Sequence, residues 1–151
     1  MIKEIYHVGL TVSDIDRSIA FYKDVLGLTF KGEILMEGDS TDALFKSKNS
    51  KCRVAYLNGS DDIMAPPVEL IQFIDQVIDN DSASLFKTSI SEICFRVTDI
   101  DKVYKHLLDN NVECLSSPQE FDFTKDGFGR SKAIYFKDPD GIILELMESL
   151  D

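Results

Sequence analysis

The sequence predicts an α+β fold built from two tandem βαβββ modules, and three observations carry that prediction. A seven-residue segment recurs at an offset of 85 residues. Each copy stands between a strand-like stretch and a helix-like one, and three further short strand-like runs follow each helix. The recurring segment is Thr11 to Arg17 over Arg96 to Lys102, with Val12/Val97, Asp14/Asp99, Ile15/Ile100 and Asp16/Asp101 identical.

The elements follow in order. Ile5 to Val12 and Ile90 to Val97 read as the opening strands. Ser13 and Thr98 are suitable N-caps, and Asp16 and Asp101 stand near the positive end of each helix. Ile15, Ile19, Tyr22 and Leu26 form one helical face, closed by Gly27; Ile100, Val103, Tyr104 and Leu107 form the other, closed by Asn110-Asn111. The remaining strands are Leu28 to Leu35, Cys52 to Leu57 and Val68 to Ile74 in the first module. In the second they are Val112 to Leu115, Lys132 to Phe136 and Ile142 to Met147. Asp138-Pro139-Asp140-Gly141 has the chemistry of a hairpin turn, whereas Asn58 to Pro67 makes a longer connection. The polar stretches Glu37 to Lys51 and Ser116 to Ser131 read as loops. No linker divides the halves, so a single domain is expected over 1–151, with module one at about 1–80 and module two at about 88–149.

Composition narrows the function. A chain of 151 residues with 44% hydrophobic and 28% charged residues has room for a proper core. The net charge of −11 disfavours nucleic acid and anionic membranes, both of which need a basic surface. No apolar run approaches the ~20 residues of a membrane span. The start of the chain lacks the layout of a signal peptide, so the cytoplasm is expected. Cys52, Cys94 and Cys114 form no Cys-x-x-Cys pair, which suits a reducing compartment, and Cys94 within its apolar run reads as a buried structural thiol.

Two motifs carry a resemblance. His7-Val8-Gly9-Leu10 with Asp14 to Ser18 and Phe21 to Leu28 is similar to the opening module of the vicinal oxygen chelate superfamily. Tyr135 to Gly141, running on to Leu144-Glu145-Leu146, resembles its closing hairpin. The superfamily includes glyoxalase I, methylmalonyl-CoA epimerase, extradiol dioxygenases, fosfomycin-resistance thiol transferases and bleomycin-binding proteins. The resemblance implies paired modules whose mixed sheets form a cup, commonly in a homodimer, with a metal-binding cleft.

It also implies where ligands stand: on the first and last strand of each module. Carried over residue by residue, these are His7 and Glu69, then Glu92 and Glu145. The offset of 85 that relates the modules independently sets Glu92 against His7. Glu69 and Glu145 are anomalous in their apolar strands, since a buried carboxylate is costly unless paired or bound to a cation. Ion pairing with Arg53, Arg96 or Lys132 is the plainer alternative. Glu92 departs from the family, where histidine is usual in glyoxalase I and the epimerase. One imidazole and three carboxylates leave a divalent site with a formal charge of about −1, suited to harder ions among Mn²⁺, Mg²⁺, Ni²⁺, Co²⁺ and Zn²⁺. The set does not supply the two-histidine, one-carboxylate triad of an Fe(II) dioxygenase.

The resemblance therefore implies a glyoxalase-like lyase or isomerase acting on a small oxygen-chelating substrate through an enediolate-type intermediate, with Glu145 or Glu69 as the base. Non-catalytic small-molecule binding of the bleomycin-resistance kind and acyl-thioester epimerisation are the alternatives. Arg96 either neutralises Glu92 or holds an anionic substrate, and Arg53 is a second cation available to a substrate. Phe121, Phe123 and Phe128 either line the edge of a cleft or anchor their loop into the core.

Overall fold

The computed structural model describes residues 5–59, 67–74, 76–79, 81, 83–86, 88 and 90–151. The connection expected at 58–67 therefore lies mostly outside the described residues, as do the first four residues of the chain. The chain divides into two compact units, Met1–Asn80 and Asp81–Asp151.

The first unit runs β1 (Val8–Thr11), α1 (Ile15–Ala20), β2 (Thr29–Glu37), α2 (Asp39–Phe45), β3 (Lys51–Asn58) and β4 (Val68–Phe73). Its sheet has the order β1-β4-β3-β2, with β1 parallel to β4 and the other pairs antiparallel. In the second unit β5 (Ile93–Arg96), α3 (Ile100–Asp109), β6 (Gln119–Phe123), β7 (Gly129–Lys137) and β8 (Ile143–Ser149) make the equivalent sheet, β5-β8-β7-β6. The two units repeat one another in register. Gly9 stands opposite Glu69 and Cys94 opposite Glu145, while Tyr56 and Tyr135 flank the same two glutamates from the other side.

The helices start one residue later than the sequence predicts. Asp14 and Asp99 are the N-caps, accepting the Arg17 and Lys102 amides at 3.0 and 2.9 Å. A carboxylate at that position both satisfies an orphan N–H and meets the helix dipole, and the Ser13 hydroxyl is taken up by the Arg17 guanidinium. Each helix N-terminus is also tied to the last strand of its unit. Gln72 accepts the Ile15 amide at 3.2 Å, and Glu148 accepts the Ile100 amide at 3.0 Å. α1 continues as a π turn over Phe21–Val25 and ends at Gly27, whose φ of 75° lies in the left-handed region.

One face of each sheet packs on its helix. Leu57 and Leu70 with Val12 and Ile15 form this core in the first unit, and Ile134, Phe136, Leu144 and Leu146 with Ile100 and Leu107 in the second. Three expectations need correction. The stretch expected as a loop from Glu37 to Lys51 contains α2, which lays Phe45 on Phe73 with ring centroids 5.3 Å apart. The stretch Ser116 to Ser131 contains the edge strand β6. The strand expected at Val112 to Leu115 is reduced to one bridge, Cys114 to Phe136.

Candidate functional site

Strand alternation sorts the polar residues of each sheet onto two faces. On β3 and β4, Arg53, Ala55 and Leu57 share the helix face with Leu70 and Gln72, while Tyr56 and Glu69 lie on the open face. Arg53 is thereby removed from the candidate site. Its guanidinium grips Asp16 of α1 at 2.9 and 2.8 Å and Glu33 at 2.6 and 3.0 Å, two carboxylates that raise its pKa. Lys132 does the same in the second unit, reaching Asp101 at 2.7 Å. Two of the three cations offered as partners for Glu69 and Glu145, Arg53 and Lys132, are thus helix-side staples.

The open face of the first sheet carries a compact polar cluster. Glu69 is 12% exposed, and both of its oxygens are engaged. The Tyr56 hydroxyl donates to Oε1 at 2.8 Å, and His7 Nε2 lies 3.3 Å from Oε2. Burial, then the hydrogen bond and the charge of Glu69, push the Tyr56 hydroxyl up to about 12. Glycine at position 9 leaves room for this arrangement, since a Cβ there would stand 3.1 Å from Glu69 Oε2. His7 and Glu69, both expected as ligands, are therefore brought together.

The open face of the second sheet carries the counterpart. Cys94 is exposed, not the buried structural thiol that its apolar surroundings suggest, because it faces away from α3. The sheet around it nevertheless desolvates the thiol, and with a hydrogen bond to Glu145 and the charges of Glu145 and Glu92 this pushes it up to about 12. Burial and the same two carboxylates raise the Tyr135 hydroxyl. Glu92 and Glu145 thus share one neighbourhood. Among the described residues Arg96 forms no ion pair with Glu92, and its exposed guanidinium is left to the open face.

Among the described residues no three His, Cys, Asp or Glu side chains gather closely enough to hold a metal ion; within each unit there is a pair. The donor chemistry of each pair nonetheless suits a divalent cation, for among the described residues no lysine or arginine neutralises Glu69 or Glu145. Tyr56 and Tyr135 were missed as members of these clusters. The signal was present, since they occupy matching places in the repeated segments Arg53 to Leu57 and Lys132 to Phe136.

Residues 4–146 match the model of the Glyoxalase/Bleomycin resistance protein/Dioxygenase superfamily. The chain belongs to this superfamily. Its curated relatives include the metallothiol transferase FosB of Staphylococcus saprophyticus, 34% identical over 97% of this chain and 77% of the relative. The uncharacterised protein YaeR of Escherichia coli is 28% identical over 97% of both chains. Among solved structures, a glyoxalase family protein from Bacillus cereus shares the fold with a TM-score of 0.84 at 19% identity, covering 100% of this chain and 97% of that one. Glyoxalase I of Leishmania major gives a TM-score of 0.65 at 19% identity, over 97% of this chain and 87% of that one.

Proposed function

We propose that this superfamily member is a metal-dependent lyase or isomerase that moves a proton between adjacent carbons of a small oxygen-chelating substrate. One observation carries the reading. Register-equivalent glutamates, Glu69 and Glu145, stand on the open faces of the two sheets, Glu69 held by Tyr56 and His7 and Glu145 hydrogen-bonded to Cys94, and among the described residues neither is paired with a lysine or arginine. The donor pairs offered to a divalent ion are His7 with Glu69 in the first unit and Glu92 with Glu145 in the second. When bound, that ion supplies Lewis-acid charge for two vicinal substrate oxygens.

The chain's own residues do the rest. A carboxylate oxygen of Glu145 or Glu69 takes the proton from one carbon and returns it to the next, so atoms and charge balance within the substrate. Tyr56 orients Glu69 through its hydrogen bond. A second reading, transfer of a thiol to the substrate, is favoured by the FosB relatives at 30 to 34% identity. That chemistry needs the Lewis acid but no carboxylate that moves a proton between carbons, so the paired glutamates favour the first reading.

The test has two stages. Equilibrium dialysis with Mn²⁺ and Ni²⁺ is expected to show binding that Glu145→Gln weakens by about tenfold or more and Asp126→Asn leaves unchanged. Equal affinities would remove the metal reading. Hemithioacetals of 2-oxoaldehydes are then turned over in deuterium oxide. Isomerisation to a 2-hydroxy thioester, with the transferred proton retained or exchanged for deuterium, supports proton transfer. No isomerisation, with an added thiol instead opening an epoxide probe so that the C–S bond forms as the C–O bond breaks, supports the second reading.

A further inference from the structure

The open faces of the two sheets are alike at the glutamates and differ beside them. In the first unit α2 covers that neighbouring end, with Phe45 on Phe73. In the second unit the equivalent place is a cleft of about 570 Å³, lined in part by Cys94, Arg96, Phe123, Phe128, Arg130 and Met147. Its floor continues directly from Glu145. Arg96 is two residues along β5 from Cys94 and Met147 two along β8 from Glu145, so both share the glutamate's face about 7 Å further on.

The lining has a definite chemistry. Phe123 stacks on Phe121 with ring centroids 5.9 Å apart and interplanar angle 7°, and Phe128 is 86% exposed. These rings are not anchors into the core. Phe123 and Phe128 line the cleft with Met147 as an apolar wall. Two cations are present, but they are not equivalent. Arg130 is taken up by the end of the chain, with Nε 3.5 Å from Asp151 and Nη2 donating to the Leu150 carbonyl at 3.3 Å. The Arg96 guanidinium has no ion pair or hydrogen bond among the described residues. An unpaired arginine on a chain of net charge −11 is placed to recognise an anion, which it meets through a two-pronged fork.

We infer that the second unit's cleft is a specificity subsite for an organic monoanion with an apolar or aromatic body. The anionic group sits on Arg96 and the body lies among Phe123, Phe128 and Met147. The inference rests on the proposed function for its meaning, because it gives the substrate class presented to Glu145. Its chemistry is independent of the metal donors.

The experiment measures binding of three probes by calorimetry: 3-phenylpropionate, the neutral 3-phenylpropan-1-ol, and propionate. Each titration is run with Mn²⁺ and again with a chelator. The acid is expected to bind at least about tenfold more tightly than either the alcohol or propionate, with or without the metal. Arg96→Gln should remove the advantage of acid over alcohol, and Arg96→Lys should restore part of it. Phe128→Ser should weaken acid and alcohol alike. No binding of the acid at millimolar concentration, or equal binding of acid and alcohol, overturns the subsite whatever the metal does. An acid unaffected by Arg96→Gln overturns it too. Anion binding that persists in a protein with no metal affinity would leave the subsite standing and the proposed function refuted.

Discussion

Gly9→Ala perturbs the candidate site without replacing any proposed ligand. Gly9 stands opposite Glu69 in the parallel β1–β4 pair, and an added Cβ would lie 3.1 Å from Glu69 Oε2. That oxygen is the one 3.3 Å from His7 Nε2. The other oxygen is held by Tyr56 at 2.8 Å, so the carboxylate must pivot about that bond or stretch it. A displacement of a few tenths of an ångström at Oε2 moves it off the His7 line. Changes of this kind next to a metal ligand typically cost 10- to 100-fold in metal affinity, and about tenfold is expected here.

Stability should move the other way. Gly9 has no positive φ, so alanine fits its backbone and restricts the unfolded chain, a gain of about 0.4–1 kcal/mol less the cost of the contact. Metal affinity by competition with a chelating dye, and unfolding by urea in the metal-free protein, read the two effects separately. Equal metal affinity in parent and variant would refute the claim that Glu69 Oε2 is a ligand atom. A fall in both affinity and stability would show that the strand, and not the carboxylate, gives way.

Three further outcomes are expected. Leu107→Ala empties a fully buried position on α3 and should cost about 2–5 kcal/mol by urea unfolding, where Leu108→Ala on the exposed side should cost far less. Asp42 accepts the Ser50 and Asn49 amides at 2.6 and 2.8 Å, which hold its carboxyl below the usual range. Its contribution is complete above the unfolded pKa and is lost as pH falls through the folded one. The midpoint difference between the parent and Asp42→Asn should therefore shrink from about pH 6 to about pH 2. Cys94, exposed but with its thiol pushed up to about 12, should react with iodoacetamide at least about tenfold more slowly than a free thiol at pH 8 in chelator. Glu145→Gln should speed that reaction; an unchanged rate by mass spectrometry would remove the hydrogen bond from the account.

The repeat was legible because its residues do structural work at short range. Asp14 and Asp99 cap helices, and Val12, Ile15 and Ile100 are buried on the helix face. Periodicity reports such positions directly. α2 was not legible, because its seven residues are held by distant partners: Phe45 rests on Phe73, and Asp42 reaches Ser50 and Asn49. β6 escaped because all five residues of this edge strand are exposed, so burial writes no alternation into them. The role of Arg53 was readable in principle. It lies three residues from Tyr56 on one strand and hence on the opposite face, a parity that composition cannot show.

The same parity separates what the two units kept from what they changed. On the helix side the contacts recur: Asp16–Arg53 and Asp101–Lys132, Gln72 on Ile15 and Glu148 on Ile100, Asp14 and Asp99 as caps. At the centre of the open face Tyr56–Glu69 and Tyr135–Glu145 recur as well. The opening strand is where the units part. Along the open face His7, Gly9 and Thr11 of the first unit answer to Glu92, Cys94 and Arg96 of the second. None of these six is needed to hold a helix, so packing does not dictate which residue stands there. An imidazole beside a small glycine leaves Glu69 reachable by a donor atom, whereas a thiol and a guanidinium beside Glu145 line a cleft that accepts a body and a charge. The repeat thus presents two equivalent glutamates, and the difference along one strand face gives each a different neighbourhood: an imidazole and a glycine in the first unit, a thiol and a guanidinium at the edge of the cleft in the second.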